Sequence, residues 1–252
     1  MSLATATESR ISSLIPTKAG VSKRPACDLC AARKSGMCDA MPVAQLGRVT
    51  SISSLLQISA GSTFVNEGEE ASQVFNVVSG AVKIYKLLPD GRRQITGFLF
   101  TGDHLGLAFN ENYSYSAESL TPVTICRFKR TQLEGLLDDF PKVEKRLMAM
   151  ASNELAAAQD QMVLLGRKTA RERVASFLLS LVRRAERNGD EVESIELPMT
   201  RTDIADFLGL TTETASRVFT SLKRDGVISL KAASEVTIVN RDALEDIAEG
   251  LE

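Results

Sequence analysis

A long stretch without glycine or proline, residues 142–165, follows Pro141 in this chain. Proline suits the first turn of a helix, because the amide proton that it lacks would have no partner there. Small or apolar side chains then recur at steps that alternate between three and four residues, which aligns them along one side of a helix. They are Met148, Ala151, Leu155, Ala158, Met162 and Leu165. The spacing predicts one long dimerisation helix over residues 140–166.

This helical seam has two interpretations. About 25 residues with a rise of 1.5 Å each make a rod of roughly 37 Å, which is longer than a small domain needs. We therefore favour a coiled coil between two copies of the chain, a homodimer, over a helix that packs on its own domain. Asp160 lies beside the seam, and a carboxylate that faces its twofold mate weakens the pairing unless the interface is well formed. The predicted dimer is therefore marginal and switchable.

Before this helix, short apolar runs alternate with turn signals such as Pro89-Asp-Gly91 and Thr101-Gly-Asp103. Regularly spaced strands with glycine turns are typical of an antiparallel β-roll or jelly roll, here over residues 49–139. A short helix is predicted ahead of the roll, from Val43 to Leu56. The predicted strands are Val74–Val78, Ala81–Leu87, Gln94–Phe100 and Val123–Lys129.

After the long helix, residues 167–252 carry the pattern of a winged helix-turn-helix. Thr200 and Asp203 resemble a capping box that starts a first helix, and Gly209 ends that helix. A second helix follows up to Gly226. Helix, glycine turn and helix are the signature of a helix-turn-helix. A helix precedes this pair and the two strands of a hairpin follow it: Ala170–Arg187, then Val227–Leu230 and Glu235–Val239.

The second helix of this pair has one apolar face and one polar face. On the polar face, Arg217 can donate bidentate hydrogen bonds to guanine O6 and N7, and Glu213 can accept a hydrogen bond from cytosine N4. The hydroxyls of Thr212 and Ser216 can bond a phosphate or a base. An alternative is that Glu213 and Arg217 form only a surface ion pair, which is compatible with positioning the arginine for DNA. The polar face predicts double-stranded DNA as a partner.

The four cysteines are the chain's only thiols, and three of them are grouped as Cys27-x₂-Cys30-x₇-Cys38 in the N-terminal segment, residues 1–48. The fourth, Cys126, lies in a predicted strand. Four thiolates form the ligand set of a [4Fe–4S] cluster or of a zinc ion, and their spacing does not separate the two. In a reducing compartment, grouped cysteines favour a metal over a disulfide.

Composition narrows the function further. The polar N-terminus and the lack of an apolar run of 18 residues predict a cytoplasmic location and no membrane partner. The net charge of −2 argues neither for nor against nucleic acid. The chain's one histidine, His104, excludes sites built from two or three histidines, and we expect it at a loop or surface position. Cys27 and Cys30 lack the βαβ setting of a thiol redox catalyst, so we expect no enzyme.

The order of these parts resembles the cyclic-AMP receptor protein superfamily of bacterial transcription factors, and within it the fumarate and nitrate reduction regulator subgroup. Glu213-x-x-Ser216-Arg217 looks like the recognition-helix motif of that subgroup. Residues 93–98 and 101–103 resemble its roll, and residues 165–173 resemble its passage into the DNA-binding domain. The resemblance covers about residues 25–245 and implies an α+β fold with a roll, a long dimerisation helix and a winged helix-turn-helix.

The resemblance also implies a function, an oxygen-sensing transcription regulator of anaerobic or microaerobic genes. It implies a [4Fe–4S] cluster on Cys27, Cys30, Cys38 and Cys126 that promotes dimerisation and binding to a palindrome related to TTGAT-N₄-ATCAA. It implies a contact with RNA polymerase through residues 87–92, although Arg92 stands where an acidic residue is expected. The alternative is a DNA-binding regulator of the same fold with a structural zinc and no direct response to oxygen.

Nucleotide-binding members of the superfamily carry an arginine that grips the cyclic phosphate, after a Gly-Glu pair in the roll. The corresponding stretch, residues 102–118, contains no lysine or arginine. Burying a phosphate without a cationic partner is costly. We therefore expect no cyclic nucleotide as the effector.

Overall fold

The computed structural model describes residues 27–107, 111–187, 194–232 and 234–251. In chain order they form a short N-terminal segment, an antiparallel β-roll, a long helix and a winged helix-turn-helix. This architecture confirms the predicted α+β fold.

From residue 27 onward, the described part of the N-terminal segment is built from short turns rather than long elements. Three 3₁₀ turns lead into α1 (Leu46–Ile52), and the chain then passes directly into β1 (Ser53–Ile58). The predicted helix from Val43 to Leu56 is therefore wrong in its last four residues. These residues pair with the strand that contains Cys126, and this pairing between distant segments overrides the local helical pattern. The three turns are Cys27–Leu29, Met37–Ala40 and Val43–Gln45.

The described part of the roll has two four-stranded antiparallel sheets, with orders β1-β8-β3-β6 and β2-β7-β4-β5. The four predicted strands are confirmed to within one residue at each end. The short strands β2, β6 and β7 were not predicted, because so few residues show no clear alternation. After β1 the strands are β2 Thr63–Val65, β3 Gln73–Ser79, β4 Val82–Leu87, β5 Arg93–Leu99, β6 His104–Leu105, β7 Ser116–Ser119 and β8 Val123–Lys129.

Two helices follow the roll, α2 (Arg130–Asp139) and α3 (Pro141–Arg167). Pro141 occupies the first turn of α3, as predicted, and α3 runs for 27 residues. Its two ends pack on the rest of the chain through Val143, Leu147 and Leu164, which are buried. Every residue from 151 to 160 is exposed, and the side chain of Glu154 in this range lies near His104 of the roll.

In its described ranges, the C-terminal domain packs four helices against a three-stranded sheet of order β10-β11-β9. The capping box of Thr200 and Asp203 is present, and Gly209 ends its helix with a φ of 62°, a conformation that favours glycine. The last helix and β9 were not predicted, although Asn240 and Gly250 cap that helix. The elements are α4 Ala170–Arg187, β9 Ser194–Glu196, α5 Arg201–Leu208, α6 Thr212–Arg224, β10 Ile228–Ala232, β11 Glu235–Ile238 and α7 Arg241–Glu249.

Arg173 on α4 joins the end of the long helix to the helix-turn-helix. Its guanidinium donates hydrogen bonds to the carbonyl oxygens of Leu165, Lys168 and Leu208, each at 2.9 Å. Carbonyl groups at the C-terminal end of a helix lack partners within the helix, so one arginine satisfies the ends of both α3 and α5. Arg173 therefore connects the end of α3 to the end of α5.

Candidate functional site

The fold brings the four cysteines into one neighbourhood, although Cys126 lies on β8, far along the chain from the other three. Burial raises the pKa of the Cys38 thiol to about 12, with further contributions from the charges of Cys126, Cys27 and Cys30. These contributions to the pKa of Cys38 require that the other three thiols lie near it, and none of the four is in a disulfide.

The surroundings of the thiols are apolar. Cys27, Cys38 and Cys126 border a cluster of buried side chains that includes Met37 and Phe128. The Sγ atom of Cys27 also lies 3.2 Å from Oγ1 of Thr50 on α1. These three thiols are therefore partly buried against apolar side chains.

Four clustered thiols match a [4Fe–4S] or zinc centre in the kind of donor and in their common location. Within the described ranges, however, no group of three or more Cys, His, Asp or Glu side chains is arranged to bind a metal ion. The raised pKa of Cys38 fits this arrangement, because metal ligation requires the thiolate and replaces the proton with a positive centre. The residues thus fit such a centre in chemistry and place, while the structure holds them as separate thiols.

The segment that carries the cysteines rests directly on the beginning of α3. Met37 and Met41 are buried in the same cluster as Val143 and Leu147 of that helix. Arg146 of α3 donates a hydrogen bond of 3.2 Å to the carbonyl oxygen of Ser35. A rearrangement between Cys30 and Cys38 therefore changes the packing of the first turns of α3.

The predicted seam on α3 divides into an open part and a packed part. Met148, Leu155 and Met162 are 57%, 61% and 71% exposed. Leu165 is partly buried against the core of the C-terminal domain, so part of its surface is already covered within its own chain. Ala151, Ala158 and Asp160 are exposed. Val163 is another large apolar side chain that is exposed there, and its position outside the alternating pattern explains why the sequence did not single it out.

On α6, the structure separates the two faces as the sequence predicts. Ala215, Phe219 and Leu222 are buried. The four candidate DNA-binding residues are on the solvent side, with Glu213 and Arg217 exposed and Thr212 and Ser216 partly buried. The cap of the helix is Thr211, whose hydroxyl accepts from the amide of Thr214. Helix α6 therefore presents an open polar face.

Glu213 and Arg217 influence each other electrostatically. The pKa of Glu213 is lowered, first by its own backbone amide and then by the Thr211 hydroxyl, with a smaller contribution from the charge of Arg217. Glu213 therefore stays a carboxylate and can accept a hydrogen bond from a base.

Comparison with known proteins decides the family. The sequence matches the cyclic nucleotide-binding domain over residues 55–140 and the Crp-like helix-turn-helix domain over residues 172–247. The nitrogen fixation regulation protein FixK of Bradyrhizobium diazoefficiens is 40% identical over 204 residues, which cover 81% of this chain and 86% of that protein. The chain belongs to the Crp/FNR family. It is a Crp/FNR-type transcription regulator and not an enzyme.

Two further relatives agree with this assignment. The transcriptional activator protein FnrL of Cereibacter sphaeroides is 36% identical over 220 residues, which cover 85% of this chain and 88% of FnrL. The structure of FixK2 from Bradyrhizobium japonicum superposes with a TM-score of 0.73 at 39% identity, and the match covers 78% of this chain and 97% of that one. As a separate finding, no helix in the described ranges is long and apolar enough to cross a membrane.

In this Crp/FNR chain, Gly106 lies in the stretch that corresponds to the nucleotide-binding part of the roll, and both of its backbone polar groups are already bonded to side chains. The hydroxyl of Tyr115 accepts a hydrogen bond of 2.9 Å from the amide of Gly106. The sequence stretch has no cation, but Arg130 of α2 reaches it and donates to the carbonyl oxygen of Gly106 at 3.2 Å. The Gly106 amide, a group suited to an anion, is thus already used.

The prediction that His104 lies in a loop or on the surface is wrong. His104 is buried on β6, where it pairs with Asn76 of β3, and burial lowers the pKa of its imidazole. Its Nε2 lies 3.9 Å from Oε1 of Glu154 on α3. The pKa of Glu154 is raised to about 7, by burial and then by the negative charge of Asp103. A two-residue strand leaves no pattern in the sequence, so only the fold reveals this pair.

Proposed function

We propose that this Crp/FNR regulator senses oxygen with a [4Fe–4S] cluster held by Cys27, Cys30, Cys38 and Cys126. The observation that supports it is the convergence of the chain's four thiols at the beginning of α3. The bound cluster supplies oxygen-sensitive chemistry and the positive charge that lets four thiolates coexist. The cysteines hold the cluster, and the segment around Met37 transmits its presence to the helix.

The second part of the proposal is that cluster binding favours a homodimer through α3. Met148, Leu155 and Met162 are exposed on one chain, and large apolar side chains are expected to be covered by a partner. Ala151, Ala158 and Leu165 complete the seam. Asp160 and its twofold mate repel each other across it, which keeps the dimer sensitive to how α3 begins. Loss of the cluster then shifts the chain toward the monomer.

The third part concerns the DNA. A twofold dimer places two copies of α6 on a palindromic site, which we propose is related to TTGAT-N₄-ATCAA and controls anaerobic or microaerobic genes. Arg217 reads guanine, Glu213 accepts from cytosine, and Thr212 and Ser216 bond phosphate or base. DNA as the target implies a cytoplasmic location. Residues 87–92, all exposed, form the hairpin that we assign to the RNA polymerase contact.

We further propose that no cyclic nucleotide acts as the effector. The amide of Gly106 already donates a hydrogen bond to the hydroxyl of Tyr115. An entering phosphate must displace that bond, and the stretch from 102 to 118 has no cation of its own to offset the cost.

Anaerobic purification tests the proposal against a regulator of the same fold with a structural zinc. We expect a brown protein with four iron and four sulfide ions per chain that is dimeric and binds the palindrome. In air it should bleach, become monomeric and lose the DNA. A colourless protein with one zinc per chain and equal DNA binding in air would establish the zinc alternative instead.

A further inference from the structure

A network of ion pairs crosses from the roll to the first helix of the helix-turn-helix. Nζ of Lys83 on β4 lies 3.0 Å from Oδ1 of Asp203 and 3.0 Å from Oε1 of Glu118. Nη2 of Arg93 on β5 lies 3.0 Å from the same Oδ1 of Asp203 and 2.8 Å from Oδ2 of Asp206. Two strands of the sensor domain therefore grip one helix of the DNA-binding domain.

The centre of this network is buried and its edge is open to water. The side chains of Lys83 and Asp203 are 7% and 5% exposed, whereas those of Arg93 and Asp206 are 24% and 25% exposed. A lysine is almost never buried unless it is paired, because an unpaired charge in a protein interior is costly. Separating the two domains at this point leaves Lys83 without the Asp203 partner that faces it.

Asp203 has two roles, one for each carboxylate oxygen. Its Oδ2 accepts from the amide and hydroxyl of Thr200 and so caps α5, while its Oδ1 accepts from Lys83 and Arg93. Burial by itself raises the pKa of Asp203, but the hydrogen bonds from Thr200 and Lys83 outweigh it, and the pKa is lowered. The carboxylate of Asp203, which caps the first turn of α5, is thus also the group that attaches α5 to the roll.

Neighbouring contacts reinforce the same junction. Nε2 of Gln94 on β5 donates to the carbonyl oxygen of Asp206 at 2.7 Å. Phe98 of β5 and Phe177 of α4 pack on Phe207, with ring centroids 5.1 Å and 5.7 Å away. Ion pairs, a hydrogen bond and apolar contacts therefore hold the two domains together at the same junction.

We propose that this network, Lys83 and Arg93 with Asp203 and Asp206, is an interdomain lock that positions α6 for DNA. Helix α5 packs against α6, and in the locked arrangement the polar face of α6 is open. The lock therefore favours the arrangement that binds DNA. This inference rests on the proposed DNA binding but is independent of which metal the cysteines hold.

A charge exchange between Arg93 and Asp206, at the partly exposed edge of the network, tests the lock. Arg93→Asp and Asp206→Arg are each expected to lower the affinity for the palindrome about five- to tenfold, without changing the dimer fraction. The double variant, with both charges exchanged, should recover most of the affinity, because the pair is restored in reverse. Lys86→Asp is the matched control, since it reverses a charge on the neighbouring strand β4, where Lys86 pairs with the exposed Glu67.

Hydrogen exchange of the full-length dimer gives a readout that DNA affinity alone does not provide. The backbone amides of α5 and β5 should exchange faster in each single variant and slow down again in the double variant, while those of α7 stay unchanged. If the unaltered protein does not bind the palindrome, the proposed function fails. If it binds and the single variants bind as well or more tightly, the proposed role of the lock is wrong.

Discussion

The cysteine site and helix α6 differ in how far apart in the chain their parts lie. The candidate DNA-binding residues of α6 lie within residues 212–217, and the helical period alone places them on one face. The thiols come from residues 27–38 and from β8, so they meet only when a long loop closes, at a cost in chain entropy. The proposed DNA-binding face is thus formed by neighbours along the chain, whereas the proposed metal site forms only when distant segments meet.

The two regions also differ in whether their side chains are ready to bind a partner. Helix α6 has a buried side anchored by Phe219 and an open polar side. The thiols are assembled, but a pKa of about 12 keeps Cys38 protonated, whereas a metal ligand must be a thiolate. In the proposed function, regulation need not reshape α6, because changing the cysteine site and the proposed dimer is sufficient.

The largest expected effect comes from removing a thiol. Cys126→Ser should abolish cluster binding and lower the affinity for the palindrome by about a hundredfold, because the fourth ligand is lost and the dimer with it. Iron and sulfide analysis and a DNA-binding titration under anaerobic conditions measure it. Thr124→Ser on the same strand is the control. Full iron content in the Cys126→Ser variant would exclude this cysteine as a ligand.

The second experiment leaves the cysteines intact and alters only the polar face of α6. Arg217→Ala should cost about 1–3 kcal/mol of DNA binding, the usual loss for a bidentate contact to a base, while the iron content and the dimer fraction stay as before. A titration with the palindrome and with a variant palindrome measures it. Arg183→Ala, at an exposed position on α4, is the control. Equal affinities for the altered and unaltered proteins would remove Arg217 from the interface.

Asp160→Ala probes the helix that connects the two ends. Removing the repulsion between twofold mates should stabilise the dimer by about 1 kcal/mol and allow some DNA binding in air. Analytical ultracentrifugation and a DNA titration, each with and without oxygen, measure the change. Asp138→Ala, at an exposed position on α2, is the control. Unchanged dimerisation and unchanged aerobic DNA binding would refute a role for Asp160.

The smallest expected effect concerns Glu154 beside His104, Asp103 and Tyr115. Its pKa of about 7 in the folded chain lies above the ordinary value of 4.5, so the folded state binds the extra proton. Its contribution to stability is complete below pH 4.5 and is lost as the pH rises to 7. Glu154→Gln should therefore gain about 1 kcal/mol relative to the unaltered protein over this range, since water screens a side chain that is 58% exposed.

Urea unfolding of the aerobic protein at a series of pH values measures the Glu154 effect. Glu144→Gln, at an exposed position on the same helix, is the control and should keep the slope of the unaltered protein. A Glu154→Gln variant with that same slope would show that this carboxyl titrates normally.

Much of the fold was predictable, and the errors have a common cause. The long helix, the capping box at Thr200 and the four longer strands depend on neighbours along the chain, and the structure confirms them. Residues 53–56 were assigned to a helix because their partner strand is about seventy residues away, where no local pattern reports it. Asn240 and Gly250, which cap α7, are a local signal for that helix in the sequence itself.

By itself, the sequence determined the elements whose interactions are local: the helical seam, the two faces of α6 and the caps that bound its helices. Only the tertiary structure decided which distant residues meet. It brought Cys126 to the N-terminal thiols, buried His104 beside Glu154, and joined Lys83 to Asp203 across 120 residues. Periodicity reports what lies one turn away, whereas a contact between separate elements exists only once both have folded and packed.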